Sequence, residues 1–128
     1  MWLDPARNYD LIGDVHGCAR ALERLLALLG YSKRAGVWQH PERQAVFLGD
    51  LIDRGPQIRE TLLIVHAMVD AGFAHCIMGN HEYYALAWDT PVQQAGEQTH
   101  VRAHNKRHAR LQRETHEQFA EHPYDWQD

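Results

Sequence analysis

The chain has 128 residues, enough for one domain with one hydrophobic core, and its formal net charge of −4 provides no basic field for nucleic acid. Its longest apolar runs are too short to span a bilayer, and its N-terminal segment lacks the pattern of a secretory signal. We therefore expect no membrane partner and no specific nucleic-acid binding. The two cysteines, Cys18 and Cys76, are far apart in the sequence, so we expect free thiols and a cytoplasmic location.

The first predicted elements are a buried strand and an amphipathic helix. Residues 9–12 form a short apolar run closed by glycine, which is typical of a buried strand. In residues 18–29, leucines recur at the i, i+3, i+4 and i+7 spacing of one helix face, and Gly30 ends the pattern. These leucines are Leu22, Leu25, Leu26 and Leu29. Residues 31–43 are predicted as a loop, with a short strand near residues 37–38.

The next part of the chain repeats this alternation. Residues 45–48 form a second buried strand, residues 58–69 a helix that Gly72 ends, and residues 73–78 a third buried strand. One side of the helix is predicted to carry Ile58, Leu62, Val65 and Val69. Strands separated by helical crossovers pair in parallel, so we expect an α/β fold with a parallel βαβαβ sheet and flanking helices.

Each of the three predicted strands ends in a motif rich in glycine and polar residues. The motifs are GDVHG at residues 13–17, GDLIDRGP at residues 49–56 and GNHE at residues 79–82. Because the carboxyl ends of parallel strands meet in one crevice, we expect their polar side chains to converge. These side chains are Asp14, His16, Asp50, Asp53, Arg54, Asn80 and His81. Unpaired, they would be costly to bury, whereas divalent cations and a bound anion would compensate their charges.

Each motif also has a purely structural interpretation when it is taken alone. GDVHG could be a turn with a capping aspartate, and GNHE could be a helix start with Asn80 as the N-cap. Arg54 could simply pair with Asp53. Three such motifs at three successive strand ends favour a metal-dependent site over these alternatives.

Together the motifs GDxHG, GDxxDRG and GNHE resemble the signature of the metallophosphoesterases, the calcineurin-like phosphoesterase superfamily. The forms DRGP and GNHE are similar to the phosphoprotein-phosphatase branch. That branch includes serine/threonine protein phosphatases, bacteriophage-type phosphatases and symmetrical diadenosine tetraphosphate hydrolases. The resemblance covers residues 9–88 and implies hydrolysis of phosphoesters or phosphoanhydrides at two divalent metal ions. Manganese is the expected metal, with iron or zinc as alternatives.

The resemblance also implies a role for each motif residue. Asp14 and His16 would bind the first metal, and Asp50 would bridge both metals. Asn80 would bind the second metal.

In the same scheme, His81 would be the general acid for the leaving oxygen and Asp53 would orient it. Arg54 would hold the phosphate oxygens. The expected substrate is a phosphoprotein or a dinucleoside polyphosphate. The segment after GNHE lacks an arginine that many protein phosphatases have there, which favours the nucleotide or bacteriophage-type side.

The sequence departs from the family pattern after residue 90. The family has a second half that supplies further strands and two histidines of the second metal site, so we expect that site to be incomplete here. We interpret residues 1–90 as an N-terminal half-domain and residues 91–128 as a helical, charge-segregated tail. On its own the chain is expected to be a poor enzyme. The alternative is a non-catalytic remnant that binds metal weakly and self-associates.

Three histidines of the tail provide a second alternative. His100, His104 and His108 have the i, i+4, i+8 spacing of one helix face. They could replace the missing metal ligands, or they could lie on an exposed helix without a role.

Charges in the tail are segregated. From residue 100 onward the positive residues come first, as Arg102, Lys106, Arg107, Arg110 and Arg113, and the negative residues follow, as Glu114, Glu117, Glu121, Asp125 and Asp128. Two antiparallel copies would place each basic half against an acidic half and form a two-fold homodimer. Alternatively, the basic face contacts a polyphosphate substrate.

We expect a dimer of this kind to dissociate as the salt concentration rises, because salt screens interactions between exposed charges. Sedimentation velocity at low and high ionic strength measures this dissociation. A monomer at every salt concentration would contradict the dimer.

Overall fold

The computed structural model describes residues 2–94, 97–100, 102 and 104–122. Strands and helices alternate through most of this part of the chain. In chain order the elements are β1 (Asn8–Ile12), α1 (Ala19–Leu28), β2 (Ser32–Arg34), β3 (Val37–Gln39), β4 (Arg43–Phe47), α2 (Ile58–Asp70), β5 (Ala74–Cys76), α3 (Asn80–Asp89), β6 (Pro91–Gln94), β7 (Glu97–His100) and α4 (Lys106–Phe119).

A three-stranded parallel sheet with the order β1-β4-β5 forms the centre of the fold. Asp10 lies opposite Ala45, and Phe47 lies opposite Cys76. The crossovers α1 and α2 connect these strands, as the alternation of strand and helix in the sequence predicts. The α/β fold class is therefore confirmed, and the carboxyl ends of all three strands point to the same edge.

The two helices cover one face of this sheet. Buried apolar side chains of the three strands pack there against α1 and α2. The principal members of this core are Ile12, Leu22, Leu26, Phe47, Val65, Met68 and Ala74. The other face is not covered by the described elements, and its Leu11 side chain is 67% exposed.

The buried faces of both helices differ from the prediction in detail. In α1, Leu22 and Leu26 are buried but Leu25 is 40% exposed. In α2, Val69 is exposed, whereas Thr61 and Met68 are buried with Ile58 and Val65. The prediction omitted Thr61 because it is polar. Its hydroxyl donates to the carbonyl oxygen of Gln57 at 2.8 Å, which makes its burial inexpensive.

The segment predicted as a loop between α1 and β4 contains an antiparallel hairpin. Ser32 lies opposite Gln39, so the predicted short strand near residues 37–38 is present and has a partner strand. The turn uses left-handed backbone at Ala35 and Gly36. Such a turn allows a two-residue connection between antiparallel strands.

The tail is only partly helical. Residues 97–100 belong to β7, which pairs with β6, and α4 begins at Lys106. The predicted common helix face for His100, His104 and His108 is therefore wrong, because the first two precede the helix. Instead, the rings of His100 and His104 stack at 3.9 Å, and His104 stacks on Trp88 at 3.8 Å.

Helix α4 packs against the first part of the chain. Its Phe119 joins a second apolar cluster with Ile52, Ile58 and Ala85. Of the charges predicted to form the acidic half, Asp125 and Asp128 lie outside the described residues.

Two further expectations concern cysteines and the membrane. Cys18 and Cys76 are unpaired, and burial, with Glu82 nearby, raises the pKa of the Cys76 thiol. Among the described residues, no helix has the length and apolar character needed to cross a membrane.

Replacing Leu26 by alanine is expected to lower the free energy of unfolding by about 2–5 kcal/mol, because its fully buried side chain would leave a cavity. Leu28 of the same helix is 85% exposed and serves as the matched control. Its replacement by alanine should change stability by no more than about 0.5 kcal/mol. Urea unfolding of both variants measures the difference, and similar losses would contradict the packing of α1.

Candidate metal centre

Three of the four predicted metal ligands lie together at the carboxyl edge of the sheet. One ligand atom from each of Asp14, His16 and Asp50 lies within 4.8 Å of those of the other two. Asp14 is exposed, and His16 and Asp50 are half-buried, so the group is accessible from solvent. Two carboxylates and an imidazole suit divalent ions such as manganese, iron or zinc. These residues therefore fit a divalent cation.

The orientation of His16 is fixed by a backbone contact. Its Nδ1 lies 2.8 Å from the carbonyl oxygen of Ile52. Because a carbonyl can only accept, Nδ1 carries the proton and donates it. The lone pair of Nε2 is then available to a metal. Histidines that bind metals commonly donate their other ring N–H to a carbonyl or carboxylate in this way.

The backbone is strained at the motif residues. Apart from Ala35 in the hairpin turn, the non-glycine residues with a positive φ in the described part of the chain all belong to the first two motifs. They are Asp14 (50°), His16 (43°), Asp50 (53°), Asp53 (66°) and Arg54 (72°). Side chains rarely adopt this region, and strain of this kind persists where a functional site requires it.

Glycines allow the strand-end loops to approach each other closely. A Cβ atom at Gly49 would overlap the backbone of Gly79, and one at Gly55 would overlap the carbonyl oxygen of His16. The first and second loops are also hydrogen-bonded, since the amide of His16 donates to the carbonyl of Asp50 at 2.9 Å. The three motifs thus form one connected structure.

Glu82, the last residue of the GNHE motif, joins the second and third loops. Its carboxylate accepts from the amides of Asp50 and Leu51, both at 2.6 Å, and from that of Gly79 at 3.1 Å. The sequence motifs predicted no role for this residue. Its position in the first turn of a helix, three residues after a glycine, is the signal that was available.

His81 and Asp53 form a hydrogen-bonded pair beside the three ligands. His81 Nδ1 lies 2.8 Å from Asp53 Oδ2, and the Asp53 side chain is 1% exposed. The backbone amide of His81 donates to Asp50 Oδ1 at 3.0 Å, and the rings of His81 and His16 are 4.7 Å apart. Because Nδ1 donates to the carboxylate, Nε2 is left to face a ligand.

Asn80 and Arg54 lie next to these groups in the chain. Asn80 is the first residue of α3, and Gly79 is the N-cap, so the alternative in which Asn80 caps this helix is wrong. Asn80 and Arg54 are both exposed. The alternative in which Arg54 pairs with Asp53 is also not supported, because the two oxygens of Asp53 bind His81 and Thr115.

Helix α4 supplies contacts that the sequence did not indicate. Thr115 is hydrogen-bonded to Asp53. Gln118 donates to the carbonyl of Gly55 at 2.8 Å and accepts from the amide of Ile58 at 2.5 Å. Because these contacts join residues about sixty positions apart, no local pattern reveals them.

An open pocket of about 500 Å³ lies on the α3 side of His81. Its lining is aromatic and basic, and consists of Tyr83, Tyr84, Ala87, Arg102, Arg107, His108 and Leu111. The Tyr84 ring is 6.1 Å from the His81 ring, and the guanidinium of Arg102 lies 4.1 Å from the centre of the Tyr84 ring. Nη1 of Arg102 is buried without a hydrogen-bond partner among the described residues.

Comparison with known proteins identifies relatives whose names state an activity. The chain is 48% identical over 73 residues to a bis(5'-nucleosyl)-tetraphosphatase PrpE [asymmetrical] of Oceanobacillus iheyensis, covering 56% of this chain and 29% of that protein. It is 42% identical over 88 residues to the protein of the same name in Bacillus subtilis, and the match covers 66% of this chain and 36% of that protein. The chain thus spans about a third of the length of these relatives.

A solved structure of a cold-active protein tyrosine phosphatase superposes with a TM-score of 0.43 and 25% identity, over 85% of this chain and 32% of that one. The family profile of the calcineurin-like phosphoesterases matches residues 8–124, which include all three motifs and α4. The chain therefore belongs to the calcineurin-like phosphoesterase family.

Proposed function

We propose that the protein hydrolyses phosphoanhydride bonds of dinucleoside polyphosphates, using two divalent metal ions. The observation that carries this proposal is the position of a hydrogen-bonded histidine and aspartate directly beside three metal-binding side chains. His81 donates its amide proton to Asp50, which is itself one of these three. A proton donor and a cation site are thereby held at the same strand ends.

In this proposal Asp14 and His16 would hold the first ion, Asp50 would be shared between the two ions, and Asn80 would contribute to the second. Manganese is the proposed metal, and iron and zinc have compatible ligand preferences. When bound, such ions lower the pKa of water and neutralise charge on the phosphoryl group. The second ion needs ligands beyond Asp50 and Asn80.

The side chains of the protein perform the other parts of the reaction. Arg54 binds the phosphoryl oxygens, because its planar guanidinium can donate to two of them at once. His81 Nε2 gives a proton to the leaving oxygen. Asp53 accepts the hydrogen bond from Nδ1, which keeps the ring in the required tautomer and stabilises its positive charge.

The pocket beside His81 supports a nucleotide rather than a phosphoprotein substrate. The exposed ring of Tyr83 can stack with a base, and Arg102 and Arg107 can bind distal phosphates. The names of the relatives from Oceanobacillus iheyensis and Bacillus subtilis state the same substrate class and an asymmetrical cleavage. A phosphoprotein substrate is the alternative.

The predicted homodimer and the cytoplasmic location stay predictions. Within α4, Arg113 already lies 3.7 Å from the carboxylates of Glu114 and Glu117. These pairs compensate part of the charge that a dimer would use, so we favour the contact between the basic segment and a polyphosphate.

We expect His81→Ala and Asp50→Ala to separate metal binding from turnover. His81→Ala should bind manganese like the wild type, while turnover falls about 10²–10⁴-fold, the typical contribution of general acid catalysis. Asp50→Ala should lose both manganese binding and turnover, because the Asp50 carboxylate is a proposed metal ligand. Asp4→Ala removes an exposed carboxylate that belongs to none of the three motifs and is the charge control.

Titration calorimetry with Mn²⁺ measures binding, and hydrolysis of p-nitrophenyl phosphate by the full natural protein measures turnover. Loss of manganese in His81→Ala would show that its role is wrongly assigned.

Replacing Arg102 by glutamine is expected to raise KM for diadenosine tetraphosphate about tenfold, because a charge-assisted hydrogen bond to a distal phosphate is lost. KM for p-nitrophenyl phosphate, which has no distal phosphate, should be unchanged. Arg113→Gln is the matched control, since Arg113 is exposed and does not line the pocket. An equal change for both substrates would contradict the assignment of this pocket to the nucleotide.

A further inference from the structure

The hydroxyl group of Thr115 is bonded twice to Asp53. The amide of Asp53 donates to Thr115 Oγ1 at 2.9 Å, and Oγ1 lies 2.6 Å from Asp53 Oδ1. Because the amide already provides one proton to Oγ1, the hydroxyl proton is the one shared with the carboxylate. Both residues are 1% exposed, so water does not compete for these bonds.

These contacts give the two oxygens of Asp53 different partners. Oδ1 accepts from Thr115, and Oδ2 accepts from His81 Nδ1 at 2.8 Å. The three side chains therefore form one chain of hydrogen bonds that ends at the imidazole. The hydrogen bond from Thr115 to Oδ1 fixes the plane of the Asp53 carboxylate. The position of Oδ2 in that plane then determines the orientation of the His81 ring.

Thr115 also stabilises a strained backbone. Asp53 has a φ of 66°, a conformation that aspartate adopts only at a cost. The bond from its amide to Thr115 holds the peptide in this conformation. Gln118, one turn further along α4, is hydrogen-bonded to Gly55 and Ile58. Helix α4 therefore binds the loop between β4 and α2 at Asp53 and again at Gly55 and Ile58.

We propose that Thr115 is a positioning residue for the general acid, whose hydroxyl orients Asp53 and thereby directs His81 Nε2 at the leaving oxygen. This role rests on the general-acid assignment of His81 proposed above. Helix α4 is then part of the catalytic apparatus, because its Thr115 acts through Asp53 without contacting a metal or the substrate.

Two variants separate this role from simple packing. Thr115→Val keeps the shape of the side chain and removes the hydroxyl, and Thr115→Ser keeps the hydroxyl. Should Thr115→Val fail to fold, Thr115→Ala removes the same group without adding a methyl group beside the carboxylate. All kinetic measurements use the metal-loaded full natural protein.

The kinetic measurement compares two leaving groups. Protonation by His81 matters more for phenyl phosphate than for p-nitrophenyl phosphate, because phenolate is the more basic leaving group. Thr115→Val should lower kcat for phenyl phosphate about tenfold, a part of the general-acid contribution, with a much smaller loss for p-nitrophenyl phosphate and unchanged KM. Thr115→Ser should restore the rate. Equal losses for both substrates, or no restoration by serine, would overturn the proposal.

A spectroscopic measurement tests the contact without activity. In the protein loaded with diamagnetic Zn²⁺, the Nδ1 proton of His81 should give a deshielded, slowly exchanging NMR signal that His81→Ala removes. The signal should persist in Thr115→Ser and be lost in Thr115→Val. An unchanged signal in Thr115→Val overturns the positioning role. If the wild type hydrolyses neither phosphate, the proposed function fails, and this NMR result still decides whether Thr115 positions His81.

Discussion

The arrangement of the site depends on one carboxylate, that of Glu82, which binds the backbone of the DLIDRG turn. Its oxygens accept from the amides of Asp50 and Leu51 at 2.6 Å, with Gly79 at 3.1 Å and Ile52 at 3.4 Å. None of these amides lies in a strand ladder, and each hydrogen bond to a charged group contributes about 1.5–3 kcal/mol. Glu82 can therefore offset the strain of Asp50, whose φ is 53°. With Glu82 in place, the second and third strand ends are held as one unit.

The carboxylates at these strand ends differ in how far the protein compensates them. Glu82 is satisfied by amides, and Asp53 by His81 and Thr115. Asp50 accepts from the amide of His81, whereas Asp14 has no hydrogen-bond donor within the described ranges. The negative charge left over is thus concentrated on the two residues that lie with His16, which is where a cation would be held. Asp14, His16 and Asp50 also have positive φ angles, so their geometry is maintained at a cost in backbone conformational energy.

The sequence predicted the sheet and the meeting of the three motifs at one edge, because both depend on local patterns, whereas the roles of the motif residues stay predictions. Apolar runs closed by glycine indicated three strands, and the polar groups after each run indicated the residues at their ends. The buried faces of the helices were predicted less well, since Thr61 satisfies its hydroxyl inside its own helix and so is buried among apolar residues. The hairpin of β6 and β7 was not predicted, and no pattern in the sequence indicated a role for Thr115. Its contact spans 62 residues, and no periodicity encodes such a distance.

In the described structure, helix α4 has three buried side chains, Gln112, Thr115 and Phe119, and only Phe119 is apolar. Gln118 and His116 add contacts to Gly55, Ile58 and Trp88. The parallel sheet, by contrast, has its own core with α1 and α2. Elements with few buried contacts open locally at a lower free energy than the whole fold. Opening of α4 would release Asp53 from Thr115 while β1, β4 and β5 stay paired. Under the proposed roles of Asp53, His81 and Thr115, catalytic competence would therefore be separable from global stability, and the fraction of molecules able to react would be smaller than the fraction that is folded.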